Sequence, residues 1–289
     1  MNMGWKTTLL EDYDEKGIAD NQTLEVVKLP PSIISSIHVR LSGTGGSGTP
    51  AVDNLISQIK IKTAKGYIFD MRSADMQALA KAKTGRKPQI INATSAYSQT
   101  CHNIYFGRYP RDKSLMLNLQ NDNVRIMEIS FGSLIGNNAF ATGTVRLTVT
   151  IDEWIGALPS GYRGFFSQKE VEDKATGTGK ATFELFSGNK LAGLLINIGT
   201  IDTVRQITVS DKSLTTIFAK ANLRDLLNKV NSENINVDAL ETNYVYWIFY
   251  DKEKDLVELP ILSMSDPVCM IERGTTTTTS RVVQIDLVS

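Results

Sequence analysis

Residues able to do chemistry are few and poorly spaced for it. The chain has two histidines, His38 and His102, and two cysteines, Cys101 and Cys269. A histidine-built metal centre needs several imidazoles, and a zinc site needs clustered thiolates, so no metal is expected. Cys101 and His102 are the residue types of a thiolate–imidazole couple, but they are sequence neighbours. In a strand, adjacent side chains point to opposite faces, so they cannot meet. A buried Cys101 and an edge His102 are expected instead. His38 alternates with Ile37 and Val39 and is expected on the non-core face of a strand, hydrogen-bonded or interfacial rather than catalytic. Gly43-Thr-Gly45-Gly-Ser-Gly48 spells a dinucleotide fingerprint, but Thr49-Pro50 follows where a helix N-terminus should face the pyrophosphate; a loop is expected. Gly177-Thr-Gly179-Lys180-Ala181-Thr182 ends like a phosphate loop. Ala181 stands where the magnesium-binding hydroxyl belongs and Lys174 where the first glycine belongs, so the match is rejected. Adjacent acids such as Asp152-Glu153 carry no acid–base geometry by adjacency and are expected to be solvated. No spacing fits a calcium loop. No catalytic, cofactor-binding or metal residue is assigned, and no cofactor is expected.

The elements that would have to position any such site are mostly strands. The 289 residues are 42% hydrophobic and 21% charged, the composition of an ordinary globular protein with room for two domains. Lys plus Arg number 31 and Asp plus Glu number 31, a balance that argues against a dedicated nucleic-acid coat or a polybasic membrane-surface protein. No secretory signal is visible and no apolar run reaches the ~18 residues of a membrane-spanning helix. Folding in water, in a reducing compartment, is expected.

Period-two alternation runs through Ile37–Leu41, Ile59–Ile61, Leu115–Leu119, Val145–Ile151 and Val283–Leu287, separated by Gly and Asn/Asp clusters. Two segments have helical spacing instead: Ser73–Ala82, with Ser73 as cap candidate, and Asn222–Val230, with Asn222 as cap candidate. These expose a repeat. Ile59–Ile61 and the first helix match Ile207–Val209 and the second helix. Asn103–Phe106 then matches Trp247–Tyr250, and Thr144–Val149 matches Ser280–Ile285, each pair slightly closer in register than the one before. A duplication with shorter loops in the second copy gives this order. The reading is all-β, two tandem sandwiches with short helices between strands. The expected organisation is an N-terminal arm over 1–22, a first sandwich over 23–156, a linker or long loop over 157–180 and a second sandwich over 181–289.

Two features favour association. Tyr244-Val-Tyr-Trp247-Ile-Phe-Tyr250 is apolar on both faces of its presumed strand and needs cover on both sides. Tyr244, Tyr246, Trp247 and Phe249 are therefore candidates for a core or an intersubunit seam. The five threonines Thr275–Thr279 suit an exposed strand or a β-rich loop.

A local succession carries a family resemblance: Leu29–Leu41 (LPPSIISSIHVRL), then Asn54–Ile61 (NLISQIKI), then Tyr67–Met71 (YIFDM) leading into the Met76–Leu79 helix. It is similar to the opening of the first jelly roll in small phage coat proteins. The chain as a whole resembles the double jelly-roll major capsid proteins of tailless icosahedral bacteriophages and adenovirus-like viruses. Detailed likeness covers Thr23 to Ala82; beyond that the likeness is architectural. The resemblance implies two tandem eight-stranded jelly rolls and a homotrimer with a pseudo-hexagonal outline that tiles a virion shell assembled in the host cytoplasm. It implies as partners the neighbouring capsid trimers, minor and penton capsid proteins and, in many such virions, an internal membrane beneath the shell, with the N-terminal arm running underneath. It implies no sequence-specific nucleic-acid partner.

Two rivals remain. A phage spike or carbohydrate-binding β-sandwich protein would also use exposed aromatics and the threonine run. A two-jelly-roll glycan amidase would need facing carboxylates in a cleft. A duplicated metal-binding barrel is disfavoured, because the chain lacks any His-x-His.

Overall fold

Alternation becomes a strand where one face can be buried against a second layer. In the computed structural model, four of the five alternating runs lie in long strands; the fifth, Leu115–Leu119, contributes only the two-residue strand Leu117–Asn118. The structure describes residues 4–14, 18, 23–46, 55–86, 88–91, 93–132, 139–141, 144–176, 178–199, 204–212, 216–222, 235–237, 244–249, 265–274 and 278–289. The chain divides into two units, residues 1–166 with Ser289, and residues 167–288.

The first unit contains β1 (Gly4–Asp14), β2 (Thr23–Lys28), β3 (Ile33–Thr44), β4 (Ile56–Thr63), β5 (Gly66–Arg72), α1 (Ser73–Thr84), β6 (Tyr97–Tyr105), β7 (Leu117–Asn118), β8 (Arg125–Phe131) and β9 (Arg146–Ile155). One sheet runs β1-β9-β3-β6, with β7 on β3; the other runs β5-β4-β8-β2. Counting the eight long strands in chain order, the sheets are 1-8-3-6 and 5-4-7-2, the jelly-roll order. The alternating residues Ile37, Val39, Leu41, Leu147, Val149 and Ile151 of one sheet, and Ile59, Ile61, Met127 and Ile129 of the other, are fully buried.

The second unit begins within β10 (Phe165–Thr176) and continues with β11 (Gly179–Glu184), β12 (Lys190–Asn197), β13 (Val204–Asp211), β14 (Thr216–Asn222), β15 (Ile235–Val237), β16 (Tyr244–Ile248), β17 (Pro267–Arg273) and β18 (Thr278–Val288). Its sheets are β10-β18-β12-β16, extended by β15, and β14-β13-β17-β11. With β15 set aside, these are again 1-8-3-6 and 5-4-7-2. The repeat read from the sequence therefore pairs like with like. Ile59–Ile61 and Ile207–Val209 lie in the fourth strands, Asn103–Phe106 and the described residues 247–249 of the matching run fall at the sixth, and Thr144–Val149 and Ser280–Ile285 at the eighth.

Three expectations are corrected. Of the expected arm, Gly4–Asp14 is instead the first strand of the first sandwich, paired antiparallel with β9 from Gly4↔Ile155 to Asp14↔Arg146. Among the described strands it is paired along one edge only, and its sequence shows no regular alternation. Residues 157–180 are not a linker: β10 occupies Phe165–Thr176 and the unit boundary falls inside it. Phe166, Ser167 and Gln168 are buried, while the charged run behind them pairs with charge, Lys174 with Glu172 at 2.7 Å and Asp173 with Arg281 at 3.6 Å. Ser73 is not a cap: it is the first residue of α1 and the cap position is Arg72, which makes no side-chain cap bond. The helix holds because Met76, Leu79 and Ala80 are buried at helical spacing and because Asp75 in the first turn and Lys81 and Lys83 in the last complement its dipole. Gly85 ends it in the left-handed region, φ 73°, with its N–H donated to Lys81 O at 2.7 Å. The expected second helix lies, beyond Asn222, outside the described residues.

Candidate functional site

The β1-β9-β3-β6 sheet turns its alternate residues away from the core, and register decides which of them meet. Thr7 stands opposite Asp152, Asp152 opposite Ser36, and Ser36 opposite Tyr105; in the next row His38 lies between Thr150 and Asn103. Three chain-distant segments thereby converge on one carboxylate. Asp152 Oδ1 accepts from Thr7 Oγ1 at 2.5 Å and Arg111 Nη2 at 3.5 Å; Oδ2 accepts from Ser36 Oγ at 3.2 Å and lies 3.5 Å from His38 Nε2. Burial alone would push the Asp152 carboxyl up; the Thr7 hydroxyl, His38 and the Arg111 guanidinium outweigh it and hold it below the usual carboxylate range. Arg111 reaches the site from a loop in which its own backbone is left-handed, φ 61°, with its N–H fixed on Ser35 Oγ at 2.9 Å.

The same cluster contains a serine–histidine–amide series, with Ser36 Oγ 3.0 Å from His38 Nε2 and His38 Nδ1 3.0 Å from Asn103 Oδ1. It resembles a nucleophile–base–orienter chain in residue type. Its geometry serves a different end, because Ser36 is fully buried and its hydroxyl is shared between the imidazole and the Asp152 carboxylate. A nucleophile must present its oxygen to a substrate; this one is enclosed by its own partners. The arrangement binds four strands and a loop through charge on a sheet face. His38 is on the non-core face and hydrogen-bonded, as its alternation requires. Asp152 and Glu153, expected to be solvated, are buried at 8% and 7% exposure. Glu153 turns the other way and accepts from Thr8 Oγ1 at 2.5 Å, with Lys6 at 3.5 Å. Sequence reading missed Ser36, Asn103, Arg111 and Thr7 as a set. Their only signal is a polar residue at each non-core position, and which ones meet depends on register.

Cys101 and His102 point to opposite faces, but the expected burial is reversed. His102 is wholly buried and Cys101 half-buried, because the partner of His102 across the ladder is the core residue Val39 and that of Cys101 is Arg40. Burial pulls the His102 imidazole down to about 4. Burial also raises the Cys101 thiol, against the opposing charge of Arg40. The fingerprint-like glycines close a strand end: Gly45 donates its N–H to Ala96 O at 2.7 Å, and a Cβ on it would sit 1.7 Å from Ala93 O. Gly179-Lys180 opens β11. Among the described residues no three His, Cys, Asp or Glu side chains group as metal ligands.

The aromatic strand is β16, and every residue of it is buried. Val245 and Trp247 face the second unit's core, with Leu194, Ile196, Cys269, Ile271 and Val282. Phe249 packs against the same core and its ring lies 5.2 Å from that of Trp247. Tyr244 and Tyr246 occupy the other face, at 7% and 2% exposure.

No family model matches the sequence, and no curated protein matches it. Solved structures do. The major capsid protein of Sulfolobus turreted icosahedral virus aligns at TM-score 0.68 and 13% identity over 99% of this chain and 97% of that one. The major capsid protein P2 from bacteriophage PM2 aligns at TM-score 0.64 and 12% identity over 99% and 98%. The PBCV-1 virus capsid aligns at 0.63 and 9% over 99% and 93%. With both units in jelly-roll order and near-complete coverage of chains of similar length, this chain has the double jelly-roll fold seen in these major capsid proteins.

Proposed function

We propose that the chain is the structural major capsid protein of a tailless icosahedral virus, located in the virion shell. Three copies form a trimer whose six jelly rolls give a pseudo-hexagonal outline, and trimers tile the shell. Neighbouring trimers and minor or penton capsid proteins are its partners, and where the virion has an internal membrane the shell lies over it. Sequence-specific nucleic-acid binding is not part of the role, in keeping with a net charge of zero. The reading is carried by one observation: both units have the same strand order, so each copy supplies two like lobes to a ring. Trp247 and the half-buried Phe249 pack in the second unit's core, and Tyr244 and Tyr246, on the other face of β16, are the strand's candidates for a core or an intersubunit seam.

Native mass and negative-stain images of the purified protein test this together. A particle of three chain masses with six-lobed outlines is expected. A protein that stays monomeric at assembly concentrations and forms no shell-like particle overturns the reading.

A further inference from the structure

The chain carries no net charge, but one end of the first jelly roll does. β1, β3, β5 and β8 begin at this end, and β2, β4, β6 and β9 finish there. Register sets Gly4 against Ile155, Ile33 against Trp154, and Thr63 against both Gly66 and Arg125. Residues 29–32 join the end of β2 to the start of β3, which puts the ends of both sheets at the same place. The segments that form this end, residues 4–6, 28–32, 64–66, 107–125 and 152–164, hold eight Lys or Arg against four Asp or Glu. Burial sorts them further. Lys6, Lys28, Lys65, Arg111, Lys113 and Arg163 are exposed, whereas Asp112, Asp152 and Glu153 are buried. The half-buried Asp122 accepts from the N–H groups of Ala64 at 3.1 Å and Val124 at 2.9 Å. Lys6 and Arg111 lie 3.5 Å from the carboxylates of Glu153 and Asp152, and Asp112 is held by Arg108 at 2.8 Å, so the charge left facing solvent is positive.

Apolar groups stand beside this charge. Residues 155–164 are tied down by Trp154 Nε1, which donates to Ala157 O at 2.9 Å, by the Arg163 N–H on Ser114 O at 2.7 Å and by Tyr162 Oη on Met116 O at 3.1 Å. Held this way, the loop leaves Ile155 and Leu158 at 37% and 39% exposure, and the loop that carries Arg111 leaves Tyr109 at 47%. Lys113 Nζ lies 5.3 Å from the ring of Trp154, which packs on Trp5.

We propose that this end of the first jelly roll is a docking surface for an anionic lipid bilayer. Clusters of about four to eight Lys and Arg attract anionic headgroups, and apolar and aromatic side chains beside them enter the boundary between headgroups and acyl chains. A nucleic-acid backbone would use the cations and leave Ile155 and Leu158 in water, and a second copy meeting this end would bring the same charge. The net charge of zero does not oppose the proposal, because it reports the sum of charges and not where they lie. In a shell over a membrane this is the end that faces the lipid; that orientation rests on the capsid reading, and lipid binding itself does not.

Vesicle flotation of the full chain tests the proposal, with phosphatidylcholine alone and with phosphatidylcholine mixed with phosphatidylglycerol, at low and high salt. Flotation with the mixed vesicles at low salt, lost at high salt and absent with phosphatidylcholine alone, is expected. Lys65→Gln and Lys113→Gln should each weaken it about fivefold, and Leu158→Ser should weaken it without changing its salt dependence. No flotation with the mixed vesicles overturns the proposal, as does flotation that both lysine variants leave unchanged. Binding of single-stranded DNA through the same residues, without flotation, overturns it in favour of a genome contact. Should a variant not fold, the lipid and salt dependence of the wild type decides. Native mass on the same sample separates the two readings: a trimer that does not float ends this inference and leaves the capsid reading standing, and a monomer that floats does the reverse.

Discussion

The sixth strands of the two jelly rolls occupy the same place in the same topology and are built from opposite chemistry. In the first unit β6 (YSQTCHNIY) directs Thr100 and His102 inward, onto Ser73 of α1. In the second, β16 (YVYWI) directs Val245 and Trp247 inward, onto an apolar cluster that includes Leu194, Ile196 and Ile271. Strand order is therefore indifferent to the polarity of a given strand, provided that the remaining layers bury enough apolar area. What the polarity does set is how each unit responds to protons and to lost volume. Two buried groups whose ionisation burial opposes sharpen the contrast: the imidazole of His102 in the first unit and the carboxyl of Asp286 in the second.

The largest test removes a strand from one unit. Deleting residues 1–14 takes away β1, with the Trp5–Trp154 ring contact at 5.2 Å and the Thr7–Asp152 bond. The expected loss is on the order of the unit's folding free energy, about 5–15 kcal/mol. Amide exchange should show β3 and β9 unprotected. Native protection there would mean that Gly4–Asp14 is a detachable arm.

Next is volume. Trp247→Ala should cost about 3–5 kcal/mol, the range for large aromatic truncations in a core, read as a lower denaturant midpoint of the second unit. An unchanged midpoint would break the claim that β16 carries that core.

The third test uses pH, and the two units should slope in opposite directions. Burial lowers His102 from 6.5 to about 4, so its contribution is complete above pH 6.5 and is lost as pH falls from 6.5 toward 4, about 3 kcal/mol in all. Burial raises Asp286 from 3.8 to about 6, against the Gln284 amide at 2.8 Å and the charge of Lys169. Ionising it therefore opposes folding. The second unit is favoured at low pH and loses about 3 kcal/mol as pH rises from 3.8 toward 6. Exchange protection measured unit by unit between pH 4 and pH 7 should diverge, and Asp286→Asn should flatten only the second slope. Parallel slopes would sink the contrast.

The smallest effect is expected at the surface. Arg111→Ala removes a half-exposed partner 3.5 Å from Asp152 and should cost about 0.2–1 kcal/mol, since Thr7 and Ser36 still hold the carboxylate. A loss of several kcal/mol would place the cluster's stability in that loop instead of the sheet.

Much of the fold was legible because burial leaves a periodic mark. Ile37–Leu41, Ile59–Ile61 and Val145–Ile151 each declare a strand with one wet face, and the order of such runs declares the repeat. Strands without that mark were misread. Among the described strands Gly4–Asp14 is paired along one edge only and shows no regular alternation, and Phe165–Thr176 hides a buried start behind a charged tail, so both read as arm or linker. The Asp152 cluster was illegible for another reason. Thr7, Ser36, His38, Asn103, Arg111 and Asp152 are ordinary surface residue types, and a one-residue slip of any strand would scatter them.

By itself, then, the sequence determined the class of structure, its doubling and the absence of a recognisable catalytic motif, because these follow from periodicity and spacing along the chain. Only the tertiary structure decided that residues 4–14 pair at the edge of the first sheet, that His102 rather than Cys101 is the buried neighbour, and that every residue of β16 is buried. Those facts depend on cross-strand register and on what covers each face, which are properties of pairs of segments far apart in the chain.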